Sequence, residues 1–127
     1  MSAARRPCTA CRSTRWRTQL NSGERRAAWW YRLRGWRLLG ANVRAGGNEL
    51  DLIVRRGRTL RFVEVKERTA ADAFGGAVGA VGAEKQRRVR RAAQAWLAAH
   101  PECAALDVGF DVVAVDAGRL ERLGDAF

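Results

Sequence analysis

The chain has 127 residues, 47% of them hydrophobic, with 24 Lys+Arg against 13 Asp+Glu and a formal net charge of +11. That length suits one domain with a real core. No run nears the ~18–20 apolar residues of a membrane span, the Arg-rich start has no apolar stretch and is not a secretory signal, and three scattered cysteines fit a reducing, cytoplasmic setting rather than a disulfide framework.

So large a basic excess on a small domain favours a polyanion partner, most simply nucleic acid. It does not say whether the contact is specific, catalytic or incidental. Of the 24 basic residues, two are lysines, Lys66 and Lys85, and the other 22 are Arg. Arg and Lys differ in shape, hydration and readiness to shift pKa. Two lysines in an Arg-rich chain therefore mark places where a compact ammonium suits the chemistry.

Residues 1–20 are rich in Arg, Ser and Thr without a period. They read as a flexible basic arm ahead of a single domain over residues 21–127. The arm carries Trp16 and a C-x-x-C pair, Cys8 and Cys11. A structural zinc site wants four ligands; His100 and Cys103 are of the right type, but no spacing demands them. Ser22 is a good N-cap, and Glu24 falls in the first turn, where the helix dipole favours a carboxylate. "ERRAAWWYRLRGW" then places Ala27, Trp30, Tyr31 and Arg34 on one face, with Ala28 and Leu33 near its edges, and Gly35 closes the helix. Trp29, Trp30 and Trp36 exceed what one small helix face needs, so an exposed aromatic patch is expected.

"WRLLGANVRA" reads as the first strand and "GGN" (46–48) as a turn. Residues 49–55 and 59–67 are strands two and three. The Gly/Ala-rich stretch that follows reads as a mobile loop, with residues 75–82 able to close over a substrate. A second helix over 83–100 has Val89, Ala92, Ala93 and Trp96 on one face and Arg87, Arg88, Arg90 and Arg91 on the other, and Pro101 stops it. "DVGFDVVAVDA" is a fourth strand whose continuous apolar run makes it central. "RLERLGDAF" is a short fifth strand or tail. The expected class is α/β: a mixed sheet flanked by helices, in the order αβββαββ.

The hairpin of strands two and three carries charges among apolar residues. Buried charges cost several kcal/mol each, on the order of 3–5, unless paired or metal-bound. With the turn centred on Gly57 and Arg58, facing residues sum to 115. Arg56 then meets Thr59, Val54 meets Arg61, Asp51 meets Glu64 and Glu49 meets Lys66. That register aligns all four charges on one face, and a slip of one residue destroys it. Two carboxylates directly opposite each other repel, and a divalent cation such as Mg²⁺ or Mn²⁺ relieves the repulsion while keeping several waters. Lys66 beside them can position a water or stabilise developing negative charge. The set suits metal-assisted phosphodiester hydrolysis. The alternative is a solvated hairpin face with ordinary salt bridges.

Asp51, Glu64 and Lys66 form D-x(12)-E-x-K across a hairpin, which resembles the PD-(D/E)xK nuclease superfamily. More closely, "GERRAAWWYRLRGWRLLGANVR", "GNELDLIVRRGRTLRFVEVKER", "FGGAVGAVGAEKQRRVRRAAQAWL", "FDVVAV" and "LERLGDAF" resemble the YraN-like family of uncharacterised bacterial proteins. That family's fold is similar to archaeal Holliday-junction resolvases. The resemblance covers about residues 22–127 and leaves out the arm with Cys8 and Cys11. It implies a restriction-endonuclease-like fold. It also implies Asp51, Glu64 and the Val65 carbonyl as metal ligands, and Lys66 as the catalytic lysine. Glu24 matches an acidic position that approaches the metal site, with the helix-dipole carboxylate as the competing reading. Glu49 matches the family motif without an assigned role. Lys85 and Gln86 match a phosphate- or water-facing position at the start of the second helix, or are simply solvated helix-end groups. Asn48 replaces the usual Gly, Glu67 follows Lys66 where a small polar residue is usual, and the Pro of the superfamily name is absent.

The first expectation is therefore a metal-dependent, nuclease-like protein acting on DNA, on branched or flap-like structures. The alternative is a non-catalytic nucleic-acid-binding module with the same fold. A ribosome- or RNA-associated structural protein explains the charge but not the aligned carboxylates. Arg25 and the Arg face of the second helix (Arg87, Arg88, Arg90, Arg91) are the expected phosphate contacts. Resolvases act as dimers because four-way junctions have two-fold symmetry; the sequence leaves a homodimer open.

Overall fold

The computed structural model describes residues 20–67, 82–116 and 119–127. The arm over 1–19, with Cys8, Cys11 and Trp16, and the Gly-rich loop over 75–81 lie outside the described residues. Helix α1 (Ser22–Leu33) begins from Asn21 rather than Ser22. Asn21 Oδ1 accepts from the Glu24 N–H at 2.8 Å, and Glu24 Oε1 accepts from the Asn21 N–H at 3.1 Å. This reciprocal capping box requires the Glu three residues after the cap, which selects Asn21. Leu20, expected at the end of the arm, is buried.

The order αβββαββ is as expected. It comprises α1, β1 (Arg37–Ala45), β2 (Asn48–Arg56), β3 (Thr59–Glu67), α2 (Ala83–Ala99), β4 (Asp107–Val115) and β5 (Leu120–Leu123), with a 3-10 turn at Pro101–Cys103. One five-stranded sheet runs β1-β2-β3-β4-β5. β3 and β4 are parallel and the other neighbours antiparallel, so α2 is the crossover that a parallel pair requires. Gly46 and Gly47 form the two-residue β1–β2 loop at φ +57° and +78°; positive φ at both positions is what that turn demands.

The helices lie on opposite faces of the sheet. Ala27, Ala28 and Tyr31 of α1 pack on Leu52, Val54, Val63, Val113 and Val115. Val89, Ala92, Ala93 and Trp96 of α2 pack on Leu50, Ile53, Leu60 and Phe62. The α2 face is the expected one. The α1 face is shifted: Ala28 is fully in the core, while Leu33 is 74% exposed. At about 100° per residue, Leu33 lies opposite the stripe centred between Ala28 and Tyr31. β4 lies inside the sheet with every side chain from Asp111 to Val115 buried, as its apolar run implied.

Candidate active site

The site forms where two paired strands part. The β2–β3 ladder runs from Arg56 and Thr59 to Leu52 and Val63, in the expected register. Beyond that point β2 continues along β1 as far as Asn48, and β3 continues along β4 as far as Glu67. The gap between them receives side chains instead of backbone bonds. Asp51 Oδ2 accepts from the Val65 N–H at 2.9 Å, standing in for a ladder partner.

Residues around Asp51 also break the strand alternation. Leu52 packs under α1, yet Leu50, two residues earlier, packs under α2. Opposite Asp51 in the β1–β2 register, Asn42 adopts φ +51°, the left-handed region that Asn tolerates better than most residues. This local turn of the strand corrects one expectation. Glu49 does not share a face with Lys66. It precedes Leu50 and so points to the α1 side, is exposed, and sits across from Arg44 of β1. Glu64 and Lys66 follow Phe62 on the α2 side by strand alternation. Glu67 projects to the opposite face, with its carboxylate over Gly23 of α1.

Asp51 and Glu64 do come together. Burial pushes the Asp51 carboxyl up from 3.8 to about 7, helped by the neighbouring Glu64 carboxyl and by the Glu24 charge, and opposed by the Val65 N–H. Like charges in a partly dry site cannot both ionise freely. Glu24 reaches the same corner from α1: its Oε1 also accepts from Asn42 Nδ2 at 3.2 Å. One carboxylate thus serves as helix cap and as wall of the site, which joins both readings of Glu24.

Lys85 enters from the first turn of α2. Its Nζ lies 2.8 Å from Glu64 Oε1, and that hydrogen bond raises the ammonium above its ordinary value. Gln86, beside it, is half-buried. Lys66 is half-buried on the same strand face as Glu64, and no ion pair engages it among the described residues. Arg87, Arg88, Arg90 and Arg91 continue from Lys85 as an exposed basic face. Arg87 and Arg88 hold Glu84 at 2.7 and 3.3 Å. Arg25 is exposed, its guanidinium donating to the Leu20 carbonyl.

Among the described residues, no group of three or more His, Cys, Asp and Glu side chains converges into a preformed metal centre. Two carboxylates, Asp51 and Glu64, are brought together, which is the donor number a water-retaining Mg²⁺ uses.

Sequence reasoning missed Asn42, whose sign is an Asn inside a strand between Ala41 and Val43. It also missed Asp111, hidden in the run "FDVVAV". Asp111 is 0% exposed and binds the Tyr31 hydroxyl at 2.6 Å, Arg122 Nη2 at 2.9 Å and the Asp125 N–H at 3.2 Å. Arg61 Nε lies 3.7 Å from it, and Arg61 Nη1 holds Asp125 at 3.0 Å. This network ties α1, β3, β4, β5 and the C-terminal turn together, with Asp111 paired to Val63, the residue before Glu64. It also explains Gly109: a Cβ there would collide with the Arg61 guanidinium.

The family model described as "Uncharacterised protein family UPF0102" matches residues 23–115. The chain belongs to this family. A UPF0102 protein of Methylorubrum extorquens is 50% identical over 96 residues, 75% of this chain and 73% of the relative. A UPF0102 protein of Rhizorhabdus wittichii is 54% identical over 79 residues, 62% of this chain and 64% of the relative. The UPF0102 protein YraN of Escherichia coli K12 is 42% identical over 105 residues, 82% of this chain and 79% of that protein. The UPF0102 match spans α1 through β4 and so includes Glu24, Asp51, Glu64, Lys66 and Lys85. Among the described residues, no helix is long and apolar enough to cross a membrane.

Proposed function

We propose that this UPF0102 protein is a metal-dependent nuclease-like protein of the PD-(D/E)xK type, with a restriction-endonuclease-like arrangement, acting on structured DNA. The observation that carries the reading is the Asp51–Glu64 pair at the parting of β2 and β3, with Asp51 pushed to about 7. A divalent ion, Mg²⁺ or Mn²⁺, would be held by Asp51 and Glu64, with the Val65 carbonyl beside them, and would supply Lewis-acid activation of a phosphodiester. The chain's own groups do the rest. The Val65 N–H fixes one Asp51 oxygen. Glu24 and Asn42 close the α1 side. Lys66 carries positive charge toward the scissile phosphate. The Arg face of α2, which begins at the site, tracks the backbone.

The alternative is a nucleic-acid-binding module without cleavage. It is favoured by the Lys85 ammonium already neutralising Glu64. Both readings are tested by incubating labelled duplex, single-stranded, flap and four-way-junction DNA with Mg²⁺ or Mn²⁺, or with EDTA. Wild type runs beside Asp51→Ala and Lys66→Ala. Metal-dependent cutting that disappears in both variants supports the nuclease. Binding without cutting on every substrate supports the module instead.

A further inference from the structure

The outer face of α1 pairs an exposed indole with arginines. Trp29 is 59% exposed and belongs to neither core cluster. Trp30 and Trp36 differ: both pack edge-on against Tyr31. On a helix, residues three and four away are the neighbours of a side chain. For Trp29 these are Arg25, Arg26, Arg32 and Leu33, three arginines and an exposed leucine. The Arg32 guanidinium lies 5.6 Å from the Trp29 ring centroid. The helix has one carboxylate, Glu24, and it is buried. The face is therefore apolar at its centre and positive around it.

We infer that this face is a stacking platform for an unpaired base of a nucleic-acid strand, centred on Trp29. The inference rests on the nucleic-acid partner of the function proposed above and names the part of the substrate it takes. Three features select that partner. A polyanion complements the exposed Arg25 and Arg32, as it does the +11 charge of the chain, while Arg26 is half-buried and donates to the Asp116 carbonyl. The Arg32 guanidinium lies over one face of the indole, and the other face can stack on any base, irrespective of sequence. A fully paired duplex keeps its base faces stacked inside, so only an unpaired nucleotide presents one. A second copy of this chain is disfavoured, because a two-fold contact through Trp29 and Leu33 would press each copy's arginines against the other's.

Trp29 lies five residues along α1 from Glu24, about 7.5 Å along the helix axis and about 140° around it. The platform is thus on the outer face of α1, while Glu24 is buried against the sheet, so the platform is a surface separate from the candidate site.

The test is fluorescence anisotropy with labelled oligothymidylate and with a blunt, fully paired hairpin, in EDTA. The proteins are wild type, Trp29→Ala and Trp29→Phe; an exposed side chain leaves the core intact in each. The expected result is an oligothymidylate affinity lowered roughly five- to hundred-fold in Trp29→Ala, the loss of one stacked base. Trp29→Phe retains most of the binding, and the hairpin affinity stays unchanged. Equal loss on both nucleic acids, or no loss on either, overturns the platform while leaving the nucleic-acid partner intact. A wild-type dimer that Trp29→Ala dissolves overturns it in favour of an interface between copies. Failure of wild type to bind either molecule overturns both this inference and the function it rests on.

Discussion

Replacing Asp51 by Asn is expected to stabilise the metal-free protein at neutral to alkaline pH while abolishing the proposed cleavage. In the folded chain burial and Glu64 raise Asp51 from 3.8 to about 7. Between those values the folded state binds more protons than the unfolded state, so stability falls as pH rises. The penalty is absent below the unfolded value and fully present above the folded one. At 1.36 kcal/mol per pH unit the interval from 3.8 to about 7 sets an upper bound of roughly 4 kcal/mol. Because Asp51 and Glu64 titrate together and the site is partly wet, about 1–3 kcal/mol is the expected measured gain. The carboxamide introduced by Asp51→Asn would keep an oxygen for the Val65 N–H and turn its NH₂ toward Glu64, replacing repulsion by a hydrogen bond. The assay is urea unfolding in EDTA at pH 5 and pH 8. Asp51→Asn should gain stability at pH 8 and roughly two-fifths as much at pH 5, which lies part-way between the unfolded and folded values. A variant less stable than wild type at pH 8, or a gain equal at both pH values, would refute the stored repulsion.

Asp111→Ala leaves Arg122 and Arg61 without their buried partner and should cost about 3–5 kcal/mol in thermal unfolding. Tyr31→Phe removes the bond to that carboxylate and the one its hydroxyl accepts from Arg122 Nε, keeps Asp111 with both arginines, and should cost about 1.5–3 kcal/mol; a loss larger than that of Asp111→Ala would mean that Asp111 is not the centre of the network. Gly109→Ala forces the Arg61 guanidinium aside and should cost about 1–3 kcal/mol, read as a shifted urea midpoint with unchanged slope. Lys85→Gln frees Glu64 from its internal counter-ion, so Mn²⁺ affinity by isothermal titration should rise; an unchanged or lower affinity would mean that Lys85 does not compete with the metal. Replacing Arg87, Arg88, Arg90 and Arg91 by Gln should flatten the dependence of DNA affinity on salt, by about 0.9 in the log–log slope for each phosphate no longer neutralised.

Local and periodic features were legible in the sequence. The alternation and turn residues around Gly57 set the β2–β3 register, because a one-residue slip would have exchanged the residues packed under α1 (Leu52, Val54, Val63) with those packed under α2 (Ile53, Phe62). The 3.6-residue period of α2 likewise fixed which of its sides holds Trp96 and which its arginines. Pairwise register set Asp51 directly opposite Glu64 and Glu49 opposite Lys66. The ladder ends one step earlier, at Leu52 and Val63, so neither is a ladder pair; the Asp51 and Glu64 side chains meet across the parting instead. Whether two strands stay paired depends on which neighbours each follows. β2 stays with β1, β3 stays with β4, and the turn of the chain at Asn42 sends Leu50 and Leu52 to opposite faces. That parting separates Glu49 from Lys66 and opens the space in which Asp51 bonds the Val65 N–H. Contacts between elements distant in sequence also lay beyond local pattern. Lys85 on Glu64, Glu24 beside Asn42, and Asp111 among Tyr31, Arg61 and Arg122 each join segments whose own sequences carry no sign of the other. Composition set the positive charge of the molecule; only the packing of α1 on the sheet left Trp29 outside, among arginines.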